Sequence, residues 1–164
     1  MTLGERLPKG FNESKNKHIL LQLNGWKYLG SGIRKAYVKN KTVVKFHTSP
    51  EVDEDQTKNE IMFYKIVDLK KIEKIKIKTE KKYYKVKIAK CLSYSKSYKW
   101  IKTQYIPGKP SKYDRLIYNN IFNKLGIEDI HACNYRIRGD YIYLLDVGLY
   151  DKAFIQKFKK AAVA

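Results

Sequence analysis

Apolar and polar positions in the first half of the chain follow the pattern of a small β-sheet with one long helix. After a lead-in over residues 1–24, strand candidates lie at 26–29, 35–38 and 42–46, and the last two flank a short polar turn, which is typical of a hairpin. From residue 51 the apolar positions recur at helical spacing, and the acidic residues at the start suit a helix dipole. The pattern therefore predicts a helix over 51–68.

Lysines dominate the stretch that follows. Residues 70–90 contain ten of them, and Ile75 and Ile77 alternate with lysines at period two, which predicts an exposed strand or arm. Residues 83–94 and 99–106 are two further strand candidates, separated by a polar turn. The strand-rich region therefore extends to the end of the last candidate.

A segment rich in proline and glycine, residues 107–110, interrupts this pattern and is typical of a hinge between two lobes. Beyond it, residues 113–125 have helical apolar spacing and are followed by Gly126, a residue that commonly ends helices. The runs 135–137 and 141–145 flank a short turn and predict a second hairpin.

Together these elements predict an α+β fold in two regions, residues 1–106 and residues 107–164. With 164 residues, 43% of them hydrophobic, the chain is long enough for one ordinary core. Cys91 and Cys133 form no CxxC pair, so the sequence indicates neither a disulfide framework nor a zinc knuckle. No apolar run is long enough for a signal sequence or a membrane span, and we therefore expect a cytoplasmic protein.

The formal net charge of +19, from 35 Lys plus Arg and 16 Asp plus Glu, leaves two interpretations open. A basic surface attracts nucleic acid, acidic proteins and phosphorylated ligands. The alternative is codon usage, because 30 of the basic residues are Lys, and AT-rich codons encode Lys, Ile, Tyr and Asn. Such usage and the small size are compatible with a phage or another mobile element, whose protein would act in the cytoplasm of the host cell.

Candidate chemistry is concentrated near the end of the chain. Asp129 and Asn134 stand five residues apart, and the second hairpin ends in Asp146-Val-Gly148. Protein kinases use this spacing for phosphoryl transfer: the first Asp orients the attacking hydroxyl, and the Asn and the second Asp hold the Mg²⁺ ions that bridge the nucleotide phosphates.

The first half supplies the complementary parts in the required order. Gly30-Ser31-Gly32 lies between two strand candidates, where a loop over the phosphates belongs. Lys45 lies within a strand, and Glu60 follows fifteen residues later on the predicted helix. A strand lysine that contacts phosphates needs an acid to position it, so these two residues have a chemical reason to occur together.

In these motifs the sequence resembles the protein-kinase-like fold, in the style of the atypical branch with RIO-type kinases and aminoglycoside phosphotransferases. Residues 103–108 resemble that branch's inter-lobe linker, and Asp129-Ile-His131 followed by Asn134 matches its Asp-x-His-x-x-Asn loop. The resemblance covers about residues 26–150. It implies an antiparallel-sheet N-lobe with one long helix for the first region, and a truncated C-lobe with a helix, a catalytic loop and a β-hairpin for the second.

The resemblance also implies a role for each residue. Lys45 would contact the phosphates and pair with Glu60, Asp129 would be the catalytic Asp, and Asn134 and Asp146 would bind the metal. Further nucleotide contacts would come from Gly30, Ser31, Gly32, Gln104 and Ile106. The implied cofactors are ATP and Mg²⁺.

The sequence departs from the family pattern in several places. Ile127 and Glu128 replace the usual residues before the catalytic Asp, and the glycine loop lacks a third glycine. Only sixteen residues follow Gly148, so we expect neither an activation segment nor the helices of a peptide-binding platform. Substrate recognition would then come from a partner chain or from the basic surface.

We therefore expect a minimal atypical kinase that transfers the ATP γ-phosphoryl group to a protein hydroxyl, either on itself or on a partner such as a host factor. One alternative is a kinase-fold binding or inhibitor protein in which catalysis is dispensable and the basic surface docks on an acidic protein or on nucleic acid. Direct nucleic-acid binding is a further alternative, based on charge alone.

Overall fold

The computed structural model describes residues 4–31, 34–48, 55–109, 112, 114–128, 130 and 132–162. The helices are α1 (Lys17–Leu23), α2 (Gln56–Ile66), the single turn α3 (Leu69–Ile72) and α4 (Arg115–Leu125). The strands are β1 (Lys27–Ser31), β2 (Arg34–Lys39), β3 (Thr42–His47), β4 (Lys76–Lys78), β5 (Tyr83–Ile88), β6 (Cys91–Tyr94), β7 (Trp100–Gln104), β8 (Tyr135–Arg138) and β9 (Tyr141–Leu144). These elements form an α+β fold with largely antiparallel sheets, as the sequence predicts at this coarse level.

The chain divides into two compact units. Unit 1 comprises Met1–Thr57 and Lys90–Tyr105, and unit 2 comprises Lys58–Ala89 and Ile106–Ala164. This division differs from the sequence-based boundary after residue 106, because Lys58–Ala89 belongs to the same unit as the second half of the chain.

Unit 1 contains a five-stranded sheet in the order β1-β2-β3-β7-β6, and every pair in it is antiparallel. The β2–β3 hairpin confirms the sequence prediction. It turns at Asn40 and Lys41, whose φ angles of 45° and 64° lie in the left-handed region that short hairpin turns require. β3 is the central strand of this sheet.

One face of the five-stranded sheet carries an aromatic core. Tyr37 and Val44 are cross-strand partners, and Phe46 follows two residues along β3, so period-two alternation places all three on one face. The ring of Phe11 packs edge-on against Phe46 with centroids 5.6 Å apart, and the buried Leu21 anchors α1 in the same cluster. The predicted lead-in therefore contains a helix that the sequence pattern does not reveal.

Unit 2 contains a four-stranded sheet in the order β4-β5-β9-β8. β5 and β9 are parallel, whereas the outer pairs are antiparallel. Ile77, Val86 and Ile142 alternate onto one face and are buried in a core that also contains apolar residues of α2, α3 and α4. The β8–β9 hairpin confirms the pairing that the sequence predicts for the second half of the chain.

Local signals set both ends of α4. Asp114 accepts hydrogen bonds from the backbone N–H groups of Leu116 and Ile117 at 2.8 and 3.3 Å, which satisfies two amides of the first turn. Gly126 ends the helix at φ +67°, as its position in the sequence predicts. Tyr113, the predicted first residue of this helix, lies outside the described residues.

Three sequence-based predictions need correction. The helix predicted over 51–68 is α2, which begins at Gln56 and ends at Ile66, and residues 51–54 lie outside the described part of the chain. The stretch 70–90, predicted as an exposed strand or arm, contains the strands β4 and β5, and it packs into the core of unit 2 because Ile77 and Val86 are fully buried between exposed positions. The strand predicted over 83–94 is two strands, β5 in unit 2 and β6 in unit 1.

Candidate functional site

Lys45 occupies the middle of the five-stranded sheet. Its direct neighbours are Ala36 on β2 and Ile101 on β7, and only 7% of its surface is exposed. Because successive strand residues point to opposite faces, the Lys45 side chain lies on the face opposite Phe46 and the aromatic core. Burial of an ammonium group costs solvation free energy, so this position is costly for a residue with only a structural role.

Gly30 lies where β1 departs from regular pairing with β2. The register shifts between Tyr28 and Gly30, which marks a β-bulge, and Gly30 has a φ of 157°. Ser31, the last residue of β1, pairs with Lys35. Gly32 lies outside the described residues, so the structure describes Gly30 and Ser31 of the predicted glycine loop.

The predicted linker residues are divided between the two units. Gln104 ends β7 in unit 1, where its backbone N–H donates to the carbonyl of Lys90 at 2.8 Å. Ile106 belongs to unit 2 and is buried. Of the predicted hinge over 107–110, the first three residues are exposed and Pro110 lies outside the described residues.

Glu60 is a carboxylate on the buried face of α2. None of its surface is exposed, and its Oε2 accepts a hydrogen bond from the backbone N–H of Val147 at 3.4 Å. Val147 is the middle residue of the Asp-Val-Gly segment, residues 146–148, and is itself buried. Within unit 2, therefore, the helix acid and the segment that carries Asp146 are in direct contact. The sequence does not indicate this hydrogen bond, because a backbone donor leaves no signal in residue identity.

Asn134 and Asp146 are brought to adjacent positions at one end of the β8–β9 hairpin. Tyr135 pairs with Leu144, and the next hydrogen bond runs from the backbone N–H of Leu145 to the carbonyl of Asn134 at 2.8 Å. The predicted metal ligands thus lie beside the last hydrogen bond of one hairpin, although they are twelve positions apart in sequence.

Asp146 is held by its own turn. Its Oδ1 accepts a hydrogen bond from the backbone N–H of Gly148 at 2.8 Å, the short-range bond with which Asp stabilises tight turns. This bond fixes the carboxylate relative to the backbone, and the contact from Val147 to Glu60 fixes the same segment relative to α2. The carboxylate therefore has a defined place before any ligand binds.

Asp129 lies outside the described residues, but its neighbours are anchored beside the Asp-Val-Gly segment. The backbone N–H of Glu128 donates to the carbonyl of Leu149 at 2.9 Å, and Ile127 forms a β-bridge with Tyr150. Ile130 is buried in the core of unit 2. The chain before and after Asp129 is thus fixed within unit 2.

The donor chemistry of Asn134 and Asp146 suits magnesium, since both side chains offer oxygen and Mg²⁺ prefers oxygen ligands. Within the described ranges, no group of three or more His, Cys, Asp or Glu side chains could hold a metal ion. Mg²⁺ at nucleotide sites commonly uses one or two protein ligands together with phosphates and water, so a pair of donors fits such a site. The structure thus places two residues with suitable donors at neighbouring backbone positions, without a complete protein cage.

A cavity with a volume of about 580 Å³ lies within unit 1. Lys35 and Phe46, which are cross-strand partners, both line it, and so does His47 at the end of β3. Lys45 and the described residues of the glycine loop do not line it.

A second buried lysine was not identified from the sequence. Lys102 on β7 donates from Nζ to the carbonyl of Glu5 at 2.9 Å, and burial lowers the pKa of its ammonium group. Its cross-strand partner is Val44, so it lies on the face opposite Lys45. Lys102 stands between Ile101 and Thr103, and in the sequence this looks like an outward position of a half-exposed strand. The sequence therefore does not indicate that Lys102 is buried.

Comparison with known proteins does not assign the chain to a family. No model of a known protein family matches the chain, and no curated protein matches its sequence. No helix in the described ranges combines the length and the apolar character needed to cross a membrane.

Proposed function

We propose that the chain is a minimal phosphotransferase of the protein-kinase-like type, which binds ATP with Mg²⁺ and transfers the γ-phosphoryl group to a protein hydroxyl. The observation that carries this proposal is the convergence of Glu60, Asn134 and Asp146 within unit 2. Two hydrogen bonds support it, from the backbone N–H of Val147 to the Glu60 carboxylate and from the backbone N–H of Leu145 to the carbonyl of Asn134. Residues of these three types in this order are the ones that phosphoryl-transfer sites need.

Each residue has a specific task in the proposed reaction. Asn134 and Asp146 hold Mg²⁺, and the hydrogen bond from Gly148 keeps the Asp146 carboxylate in place. Lys45 contacts the nucleotide phosphates, and Glu60 positions it. Held there, Mg²⁺ would supply positive charge that offsets the charge of the nucleotide phosphates.

Asp129 acts on the acceptor. It orients the attacking hydroxyl and receives its proton as the new bond forms between the hydroxyl oxygen and the γ-phosphorus. The bond between the γ-phosphorus and the bridging oxygen breaks, and ADP is the leaving group. Gly30, Ser31, Gly32, Gln104 and Ile106 provide the remaining nucleotide contacts, and the acceptor is a hydroxyl on this chain or on a protein partner, such as a host factor if the protein is encoded by a phage.

Thermal unfolding with and without nucleotide tests the binding half of the proposal. A ligand at about 100 times its Kd stabilises the folded state by about 2.7 kcal/mol, so ATP with Mg²⁺ should raise the midpoint of unfolding by several degrees. ATP with a chelator should raise it less, because the metal joins the phosphates to Asn134 and Asp146.

The matched variants are Lys45→Met and Lys41→Met. Lys41 lies exposed in the β2–β3 turn, so Lys41→Met removes the same charge as Lys45→Met without affecting the proposed site. Lys45→Met should lose most of the nucleotide-dependent shift, and Lys41→Met should keep it. Equal shifts in both variants, or no shift in the wild-type protein, would contradict the proposal.

A further inference from the structure

The four-stranded sheet of unit 2 has a second face, and its composition differs from that of its core face. Ile77, Val86 and Ile142 point into the core, so the residues between them point outward. Across the strands, Lys85 on β5 lies beside Tyr141 on β9, which in turn lies beside Arg138 on β8. The register therefore assembles a row of cation, aromatic ring and cation from three separate strands.

A second row repeats this order one step along the sheet. Lys87 on β5 pairs with Tyr143 on β9, and Tyr143 pairs with Arg136 on β8. Lys78 on β4 pairs with Tyr83 on β5, which adds another cation beside a ring. We call the outward positions of β4, β5, β8 and β9 the Tyr–Lys face.

The charge of the Tyr–Lys face has one sign. Its basic residues are Lys76, Lys78, Lys85, Lys87, Arg136 and Arg138. No outward position of these four strands, all of which the structure describes, carries an acidic residue. Asp140 in the β8–β9 turn is hydrogen-bonded to Lys82 Nζ at 2.8 Å and also interacts electrostatically with Lys85, so it offsets only part of the positive charge at this edge of the face. The partner that complements this face is a polyanion.

The tyrosines make the partner more specific. Tyr83 is 59% exposed, and the rings of Tyr141 and Tyr143 lie with centroids 6.1 Å apart on the same face. Lys87 Nζ lies 4.5 Å from the ring centroid of Tyr141. An acidic peptide would need the cations but has no use for a series of aromatic rings, whereas nucleobases stack on such rings and phosphates pair with the flanking cations.

We propose that the Tyr–Lys face binds single-stranded nucleic acid, with bases stacked on Tyr83, Tyr141 and Tyr143 and phosphates held by the flanking lysines and arginines. The bases of a duplex are stacked on each other and are not accessible to these rings, so a single strand is the form that uses them. The inference is independent of the proposed phosphoryl transfer, because no residue of that site lies on this face.

Fluorescence anisotropy with a labelled single strand of about twelve nucleotides tests the inference, since sites of this kind span about 4–16 nucleotides. The double variant Tyr141→Ala/Tyr143→Ala should bind about tenfold or more weakly, because each stacked base contributes substantially to affinity. The double variant Tyr141→Phe/Tyr143→Phe keeps both rings and should bind within about twofold of wild type.

Two single variants provide a matched comparison that does not depend on the double variant folding. Tyr83→Ala removes an exposed strand tyrosine from the Tyr–Lys face, and Tyr94→Ala removes one from β6 in unit 1. The first should weaken binding about fivefold and the second should leave it unchanged. Thermal unfolding of each variant verifies that it is folded.

Salt dependence tests the role of the cations. Lys85→Ala/Arg138→Ala removes two charges from the face, and Lys27→Ala/Lys96→Ala removes two exposed charges from unit 1. For single strands the slope of log K against log salt changes by about 0.7 per phosphate contact, so the first pair should lower it by about 1.4 and the second should not.

Several results would overturn the inference. One is equal loss of affinity from both charge pairs together with no effect of any tyrosine variant, because that pattern indicates charge alone. Another is binding of a duplex of the same sequence, or of polyglutamate, as tight as that of the single strand. Absence of binding to both DNA and RNA single strands near physiological salt would overturn it as well, and comparison of those two probes identifies the preferred sugar.

Discussion

Glu60 is the residue whose position requires the most explanation. A carboxylate without exposed surface in the middle of α2 costs solvation free energy, which an apolar side chain at the same position would avoid. Its hydrogen bond from the backbone of Val147 explains how the Asp-Val-Gly segment is held, but a neutral acceptor could make the same bond. The proposed function gives the charge a task, which the following variant tests.

Glu60→Gln separates these two roles. The glutamine carbonyl can still accept the hydrogen bond from Val147, so the midpoint of thermal unfolding should change little. Loss of the charge should lower kcat for phosphate transfer by about 100-fold, a typical cost of misplacing a catalytic group. Glu73→Gln, on an exposed residue next to α3, is the control and should retain activity. If Glu60→Gln transferred phosphate at the wild-type rate, Glu60 would have a structural role only.

The Lys82–Asp140 pair gives a prediction for pH. The hydrogen bond from Lys82 Nζ lowers the pKa of the Asp140 carboxyl, and the same bond raises the pKa of Lys82. A carboxyl whose pKa is lowered by folding stabilises the folded state at pH values above its ordinary pKa. That stabilisation is lost as the pH falls through the lowered pKa. A lysine whose pKa is raised by folding stabilises the folded state at pH values below its ordinary pKa, and that stabilisation is lost as the pH rises through the raised pKa.

Asp140→Asn should therefore be slightly less stable than wild type across neutral pH, and the difference should disappear in strong acid and in strong base. Both groups are solvent-exposed, so the difference is small and high salt should remove it. Denaturant unfolding at several pH values measures it. A difference that grows as the solution is acidified would contradict the assignment of this pair.

At the level of the secondary-structure elements, two constraints favour glycine at the end of α4, a positive φ angle and a closely packed neighbour. Gly126 has a φ of +67°, and a Cβ there would lie 2.7 Å from the Cβ of Phe154. Gly139 in the β8–β9 turn has a similar φ of +59° but open space around it. Gly139→Ala should cost about 1 kcal/mol of unfolding free energy from backbone strain alone. Gly126→Ala should cost more, because the clash adds to that strain, and equal losses in denaturant unfolding would show that the clash is relieved.

β4 tests whether the lysine-rich stretch belongs to the core. Ile77→Ala removes a fully buried side chain and should cost about 2–5 kcal/mol. Ile137→Ala, at a position of β8 that is 39% exposed, should cost clearly less. If Ile77→Ala left the unfolding free energy unchanged, this stretch would be the exposed arm that the sequence pattern suggests.

Elements with strong local signals could be predicted from the sequence. Asp114 and Gly126 determine the ends of α4, and the β2–β3 and β8–β9 hairpins have apolar strands around short polar turns. The parallel pairing of β5 with β9 could not be predicted, because its partners are more than fifty residues apart and no turn joins them. The lysines of β4 and β5 also concealed buried isoleucine and valine positions behind an exposed face.

The candidate site was predictable to a similar degree. Residue types and spacing identified Glu60, Asn134 and Asp146, and the structure brings these three together within unit 2. The backbone contacts that join them depend on tertiary packing and leave no mark in the sequence. Asp129 and Gly32 lie outside the described residues, and the roles of all the predicted site residues stay predictions.

For the whole molecule, the net charge of +19 now has a more specific interpretation. Six basic residues share one face of the sheet in unit 2, whereas Lys45 and Lys102 are buried in the sheet of unit 1. Codon usage can explain a high lysine content, but it does not explain why cations and tyrosines alternate across three strands. The basic residues of the Tyr–Lys face and the residues of the proposed phosphotransfer site are therefore different sets.

Phosphate transfer from labelled ATP tests the central claim most directly. The protein is incubated with Mg²⁺ and ATP labelled at the γ- or the α-phosphate, with and without bacterial cell extract as a source of acceptors. We expect Mg²⁺-dependent transfer of the γ-label to protein and no transfer of the α-label. Asp146→Asn keeps an acceptor for the hydrogen bond from Gly148 but should reduce transfer to background, whereas Asp140→Asn should retain it. Absence of γ-label transfer under every condition, or full activity of Asp146→Asn, would contradict the proposed function.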